Sequence, residues 1–345
     1  MKTDRIIHVV GCHAEGEVGD VVTGGIAPPP GETLWEQSRY LAENTAMKDF
    51  LLNEPRGGVF RHINLLMPPK NPKADIAAII LEPETVPPMS GSNTICVATV
   101  ALETGRIQMV EPITEMVIEM PGGLIKVTAT CRDGKAERIS FENIASFADK
   151  LDHPLEVEGF GTLRVDTAFG GDSFVVVEAA DLGFDLDPSE AADLKAAGMA
   201  IAAATKQQIG FSHPDLPGFN DITFCLIAGP VIDGETGLQS THAVAIKPGK
   251  LDRSPTGTGA SARLALMHAK GLAAVGTKVT FQSVLGSKFE ADIVRETNLG
   301  KRKAIIPRVS GRAWITGTSQ LMLDPGDPWP TGYRLSDTWP LMPKS

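Results

Sequence analysis

Two stretches of this chain are apolar on every helical face. Ile95, Cys96, Val97, Ala98, Val100, Ala101 and Leu102 form the first, and Ala260, Ala262, Leu264, Ala265, Leu266, Met267 and Ala269 the second. A helix with no polar stripe belongs at the centre of a domain rather than on its surface. Each run follows a hydroxyl, a glycine and a second hydroxyl, as Ser90-Gly91-Ser92 and as Thr256-Gly257-Thr258. Each ends at a glycine 15 residues past the first hydroxyl, Gly105 and Gly271, where a left-handed C-terminal cap is expected.

The remaining pattern repeats around these two helices. Ile6 to Val10 predicts a strand that runs into a Gly-punctuated loop, Gly11 to Glu17, and Leu163 to Asp172 has the same form. Leu34 to Leu52 predicts one amphipathic helix, and Ser189 to Ile209, opened by Asp187-Pro188-Ser189-Glu190, predicts its counterpart. Ala74 to Leu81 reads as a buried strand, and Met116 to Arg132 as a hairpin turning at Pro121-Gly122-Gly123. Phe174 to Val177, Ile222 to Ile227, Ala243 to Ile246, Lys278 to Val284 and Phe289 to Val294 are strands by the same test. The chain reads as internally duplicated. Residues 1–159 form a first half, to which a tail of about 315–345 returns, and residues 160–314 form a second, with the boundary near Gly159-Phe160-Gly161. From Asp324 onward the prolines and tryptophans have neither helical nor strand period, which predicts an extended segment lying over a surface.

Composition narrows the picture. Gly 35 and Pro 25 make roughly 17% of 345 residues, above the ordinary share of about 12%, which favours many turns and short strands. The formal charge of −10 is dispersed, so nucleic acid and anionic membrane are not expected partners. No segment approaches ~18 uninterrupted apolar residues, and the reading is cytoplasmic. Cys12, Cys96, Cys131 and Cys225 lack metal or redox spacing, and the histidines lack ligand spacing, so no metal is expected. Gly257-Thr258-Gly259-Ala260-Ser261-Ala262 formally fits a dinucleotide fingerprint. Its context does not: Pro248 to Pro255 separates it from the preceding strand, and no acid stands where a ribose would need one.

The commonest work of Ser and Thr before a helix is capping. Capping alone does not explain two matched loops before two buried helices. The pair predicts a ligand anion held by bare first-turn N–H groups, with Ser90 and Thr256 on either side of it.

The His13 to Glu17 loop, Glu54-Pro55-Arg56-Gly57, Met89-Ser90-Gly91, Gly170-Gly171 and Asp252-Arg253-Ser254-Pro255-Thr256-Gly257-Thr258-Gly259 resemble the proline racemase superfamily over nearly the whole chain. The resemblance implies an α+β fold of two pseudo-symmetric, diaminopimelate-epimerase-like halves. Each would be an antiparallel, barrel-like sheet around a buried central helix, with the active site in the cleft between them. It also implies a cofactor-independent enzyme, a homodimer, acting on a cyclic imino acid. Two thiols face the substrate α-carbon in the family, and Ser90 and Thr256 occupy those positions here. The His common two residues after the first thiol is Ser92. Thr at the second position resembles the trans-3-hydroxy-L-proline dehydratases, which lose the α-proton and the 3-hydroxyl to give a pyrroline-2-carboxylate.

In that reading Ser90 takes the α-proton and Thr256 lines the other face. Gly91, Ser92, Gly257 and Thr258 hold the carboxylate through backbone N–H groups, and Asp252 pairs the ring nitrogen. His13, Glu15 and Asp172 are candidates for assisting the leaving hydroxyl. The alternatives are a 4-hydroxyproline 2-epimerase or proline racemase, and a non-catalytic imino-acid-binding protein.

Overall fold

A computed structural model describes Thr3 and residues 5–340. In chain order its elements are β1 (Arg5–Ala14), β2 (Glu17–Gly24), α1 (Leu34–Glu43), α2 (Ala46–Leu52), β3 (Arg61–Met67), β4 (Ile76–Leu81), α3 (Gly91–Glu103), β5 (Ile113–Met120), β6 (Gly123–Arg132) and β7 (Lys135–Glu142). There follow β8 (Phe147–Val157), β9 (Gly161–Phe169), β10 (Ser173–Glu178), α4 (Ala179–Leu182), α5 (Ala191–Gln208), β11 (Phe224–Ala228), β12 (Ile232–Gly234), β13 (Gly237–Ile246), β14 (Lys250–Leu251), α6 (Gly257–Ala269), β15 (Lys278–Gln282), β16 (Lys288–Leu299), β17 (Arg302–Gly311) and β18 (Ala313–Leu323). No helix of the described residues is long and apolar enough to cross a membrane.

The chain divides into two compact units, residues 1–140 with 312–345, and residues 141–311. The boundary expected near Gly159-Phe160-Gly161 lies elsewhere. Those residues close the β8–β9 hairpin, in which Val157 pairs with Gly161, and both glycines take the positive φ of a tight turn, 84° and 71°. A glycine-rich turn and a linker look alike in sequence, and only strand pairing separates them.

Both units are α+β and both repeat one construction. In the first, β2 and β3 are parallel and joined through α1 and α2, and β4 and β5 are parallel and joined through α3. In the second, β10 and β11 are parallel and joined through α4 and α5, and β13 and β15 are parallel and joined through β14 and α6. Parallel neighbours need a long crossover, and a helix supplies it. The antiparallel barrel expected from the sequence is therefore an open, mixed sheet.

The two crossover helices of each unit differ as their sequences require. Along α5, Leu194, Ala197, Gly198, Ile201, Ala202 and Thr205 are buried, one stripe at helical spacing, and they pack on β8, β10, β11, β13 and β14. By contrast α3 is buried from Gly91 through Leu102 and packs on β1, β2, β3 and β18. Likewise α6 is buried from Gly257 through Met267 and packs on β8, β9, β10, β16 and β17. Each fully buried Leu or Met contributes about 1.5–3 kcal/mol of apolar burial. Both helices close with the same bonds: Gly105 N donates to Leu102 O and Arg106 N to Ala101 O, as Gly271 N does to His268 O and Leu272 N to Met267 O.

Some local expectations change. The single helix read over Leu34–Leu52 is two, broken at Asn44-Thr45, with Thr33 and Glu36 forming a capping box for α1. The Gly11–Glu17 loop is mostly strand: β1 continues to Ala14 and turns into β2 over Glu15 (φ 48°) and Gly16 (φ 98°), two positive φ values that suit a hairpin of right-handed twist. On the buried face of α6 sits Arg263, whose NH2 donates to Gly229 O at 2.6 Å and Ser240 Oγ at 3.1 Å. Burial pulls its pKa down, and the charges of Glu178 and Asp166 oppose the shift.

The returning tail is held by the Glu54-Pro55-Arg56-Gly57 segment. Glu54 O accepts from Tyr333 N at 2.8 Å, and Glu54 Oε1 from Trp339 Nε1 at 3.0 Å and Thr338 Oγ1 at 2.9 Å. Arg56 lies over the Phe50 ring and pairs Asp327 Oδ2 at 2.9 Å. Trp339 is 1% exposed.

Candidate active site

The two hydroxyls singled out in the sequence stand where helices begin, and neither caps its helix. Ser90 and Thr256 are the N-cap residues of α3 and α6, and neither side chain bonds a first-turn N–H group. The first intrahelical bonds are Thr94 N to Ser90 O and Ala260 N to Thr256 O. The N–H groups of Gly91, Ser92 and Asn93, and of Gly257, Thr258 and Gly259, therefore have no acceptor within their helices. Three such groups at the positive end of a helix dipole suit a carboxylate.

In the first unit Ser90 is 9% exposed, and its Oγ accepts from Asn93 Nδ2 at 2.8 Å. Asn93 Oδ1 accepts from Asn64 Nδ2 at 2.8 Å, and Asn93 Nδ2 lies 3.3 Å from His62 Nδ1. His62 stands between two buried acids, its Nε2 3.5 Å from Glu17 Oε1 and its Nδ1 3.8 Å from Glu82 Oε1. Close approach of β2 makes this packing possible: a Cβ on Gly19 would lie 2.7 Å from Asn93 Oδ1 and 3.0 Å from Cys96 Sγ. The thiol of Cys96 is raised well above the usual cysteine range by burial, then by neighbouring Cys12. It is a core group rather than a reactive one.

In the second unit the loop before α6 is built on Asp252. Its Oδ1 accepts from Ser254 N at 2.8 Å and Ser254 Oγ at 2.9 Å, and its Oδ2 from Thr256 Oγ1 at 2.6 Å. Thr256 has φ 52°, a conformation that a β-branched residue adopts at a cost of about 1–3 kcal/mol. Three bonds hold it there: the one to Asp252, one from Thr256 N to Ser254 Oγ at 3.1 Å, and one between His242 Nε2 and Pro255 O at 2.5 Å. Burial pushes the His242 pKa down to about 3. The ring is neutral, and because a carbonyl only accepts, Nε2 carries the proton. Gly170 does here what Gly19 does in the first unit, since a Cβ on it would lie 2.1 Å from Thr258 O and 2.4 Å from Ala262 N. Asn143 Nδ2 donates to Gly170 O at 2.6 Å and Ser261 Oγ at 2.9 Å, tying that strand end to the helix.

Ser90, Gly91 and Ser92 thus come together in the first unit, and Asp252, Thr256, Gly257 and Thr258 in the second. The three candidate acids have structural partners. The His13 ring stacks on Trp314 and its Nδ1 accepts from Gly16 N. Glu15 Oε1 accepts from Arg312 N, and Asp172 Oδ1 from Ser173 N. Sequence reading missed Asn93, His62, Asn64 and His242. Asn93 was within reach, since it lies three residues beyond Ser90, one turn along a helix. His62, Asn64 and His242 come from distant strands and carry no local signal.

Residues 9–334 match the sequence model of the proline racemase family. A hydroxyproline epimerase from Agrobacterium vitis, solved with trans-4-hydroxy-L-proline bound, is 36% identical with a TM-score of 0.94, covering 98% of this chain and 97% of its own. A probable proline racemase from Agrobacterium radiobacter, solved with carbonate bound, is 37% identical with a TM-score of 0.92, covering 96% and 98%. A phenazine biosynthesis protein from Bacillus anthracis shares the fold at 12% identity and a TM-score of 0.56, covering 94% and 100%.

Proposed function

The chain belongs to the proline racemase family, and from that premise we propose that it inverts C2 of a 4-hydroxyproline without a cofactor. The observation that carries this reading is the 2.6 Å bond from Thr256 Oγ1 to Asp252 Oδ2. An alcohol by itself neither gives up its proton nor takes on a second one near neutral pH, and needs an adjacent base to act. Bonded to a carboxylate, it can take the α-proton on one side while passing its own to Asp252, and return it by the reverse path. Each face of the α-carbon is then served, by Ser90 on one and by the Thr256–Asp252 pair on the other. The first-turn N–H groups of Gly91, Ser92, Gly257 and Thr258 hold the substrate carboxylate and stabilise the charge that spreads onto it when the α-proton leaves. The bound ligand of the A. vitis epimerase supports the same substrate class. The Asp252 carboxylate also remains the group proposed to pair the ring nitrogen.

Dehydration of trans-3-hydroxy-L-proline is a second reading, favoured by the inequality of the two hydroxyls. Ser90 Oγ accepts a hydrogen bond, whereas Thr256 Oγ1 gives one away. Loss of water needs a base on one face only, and Ser90 would suffice. Incubation in deuterated water with trans-4-hydroxy-L-proline, trans-3-hydroxy-L-proline and L-proline separates the readings. Epimerisation gives α-deuterium with inversion of the 4-hydroxy compound, and dehydration gives a pyrroline-2-carboxylate from the 3-hydroxy compound alone. No reaction with any of the three leaves a binding protein and overturns both.

A further inference from the structure

Ser90 is the weaker side of this chemistry, because among the described residues no carboxylate is bonded to its hydroxyl in the way Asp252 is bonded to Thr256. A hydroxyl that must pass through its alkoxide needs donors aimed at the oxygen. The buried side chains behind Ser90 fix which group faces it. Asp20 O is a backbone carbonyl and can only accept, so the atom of Asn64 lying 3.2 Å from it is the amide nitrogen. That nitrogen also faces Asn93 at 2.8 Å, so the Asn93 atom it meets is the amide oxygen. The other end of Asn93, 2.8 Å from Ser90 Oγ, is therefore the NH2 group. The second hydrogen of that NH2 group faces His62 Nδ1 at 3.3 Å. One carbonyl thus settles the direction of the bonds through Asn64 and Asn93.

We propose that Asn93, held in this orientation by Asn64 and His62, is the positioning residue that donates into Ser90 Oγ and stabilises its alkoxide. The inference rests on the reading of Ser90 as a proton-transfer group. Asn93 carries no proton to the substrate. Its N–H leaves the Ser90 proton free for the ligand and meets the charge left on Oγ when that proton departs. Leu has nearly the shape of Asn and no donor, so Asn93→Leu removes the bond with little change in packing.

The test is α-deuteration of trans-4-hydroxy-L-proline as a function of pH, with Ser90 and with Ser90→Cys, each with and without Asn93→Leu. Removing one such donor is expected to lower kcat about 10²-fold with KM changed less than about 3-fold, and to move the rising limb of the kcat profile to higher pH. A thiol ionises readily and needs less help, so with Ser90→Cys the same replacement should cost less than about 10-fold. Equal losses with Ser90 and with Ser90→Cys, a loss confined to KM, or an unmoved pH profile would overturn the inference. Should Asn93→Leu not fold, Asn64→Leu frees the Asn93 amide from its fixed orientation. It should lower kcat in the same way, and an unchanged kcat is again fatal. Ser90→Ala keeps the two questions apart. If it still turns over, the functional reading falls and this inference with it. If it is inactive while Asn93→Leu is unaffected, only this inference falls.

Discussion

At the scale of single residues, the proposed chemistry rests on a contrast between two hydroxyls of nearly equal intrinsic chemistry. Ser90 receives a hydrogen bond from a neutral amide, and Thr256 gives one to a carboxylate. Replacing Asp252 by Asn keeps an acceptor for Thr256 but removes the place where its proton can rest. General acid–base assistance is worth about 10²–10⁴-fold, and Asp252→Asn is expected to lose kcat in that range in the deuteration assay. Asp252 also builds the loop through Ser254, so some rise in KM should accompany the loss. A mutant with wild-type rates would mean that Thr256 does not work through Asp252 and would remove the main support for two-sided exchange.

At the scale of elements, the first turns of α3 and α6 are each set by a glycine on a neighbouring strand or strand end. Gly170 illustrates the constraint, since the atoms a Cβ would meet are the Thr258 carbonyl and the Ala262 nitrogen, both backbone. Backbone cannot rotate aside as a side chain would, so the helix start itself must move. Gly170→Ala is expected to lower stability by about 1–3 kcal/mol, the usual range for overpacking. Because Thr258 carries one of the N–H groups proposed to hold the carboxylate, the variant should also bind pyrrole-2-carboxylate more weakly. Denaturant unfolding and calorimetry read the two effects separately, and wild-type affinity in the variant would mean that the helix start does not hold the anion.

At the scale of the whole molecule, the tail from Asp324 is part of the first unit although it follows residues 141–311 in sequence. Trp339 is its anchor, with the indole buried and Nε1 donating to Glu54 Oε1. Trp339→Ala should lower stability by about 3–5 kcal/mol, as expected for truncating a fully buried aromatic. The measurement is the denaturant midpoint of the full chain, and a midpoint within error of the wild type would mean that the tail does not stabilise its unit.

The sequence alone determined the elements whose cause is local. All-round apolar runs gave two buried helices, glycines at fixed distance gave their caps, and one amphipathic stripe gave α5, since these depend on residues within a few turns of one another. The hydroxyl loops were legible for the same reason: a hydroxyl and glycines before an apolar helix leave bare N–H groups wherever the chain goes afterwards. What the sequence did not determine is everything that depends on a partner distant along the chain. Gly159-Phe160-Gly161 read as a boundary and is a hairpin turn, because a turn and a linker share glycine's freedom and differ only in what the flanking strands pair with. Parallel pairing through helical crossovers left no trace in periodicity, since a buried strand looks the same whichever way its neighbour runs. The clearest case is the direction of the bond at Ser90. It depends on Asn93, Asn64 and the Asp20 carbonyl, brought together from three separate stretches of chain, and only the folded backbone places that carbonyl where it orients both amides.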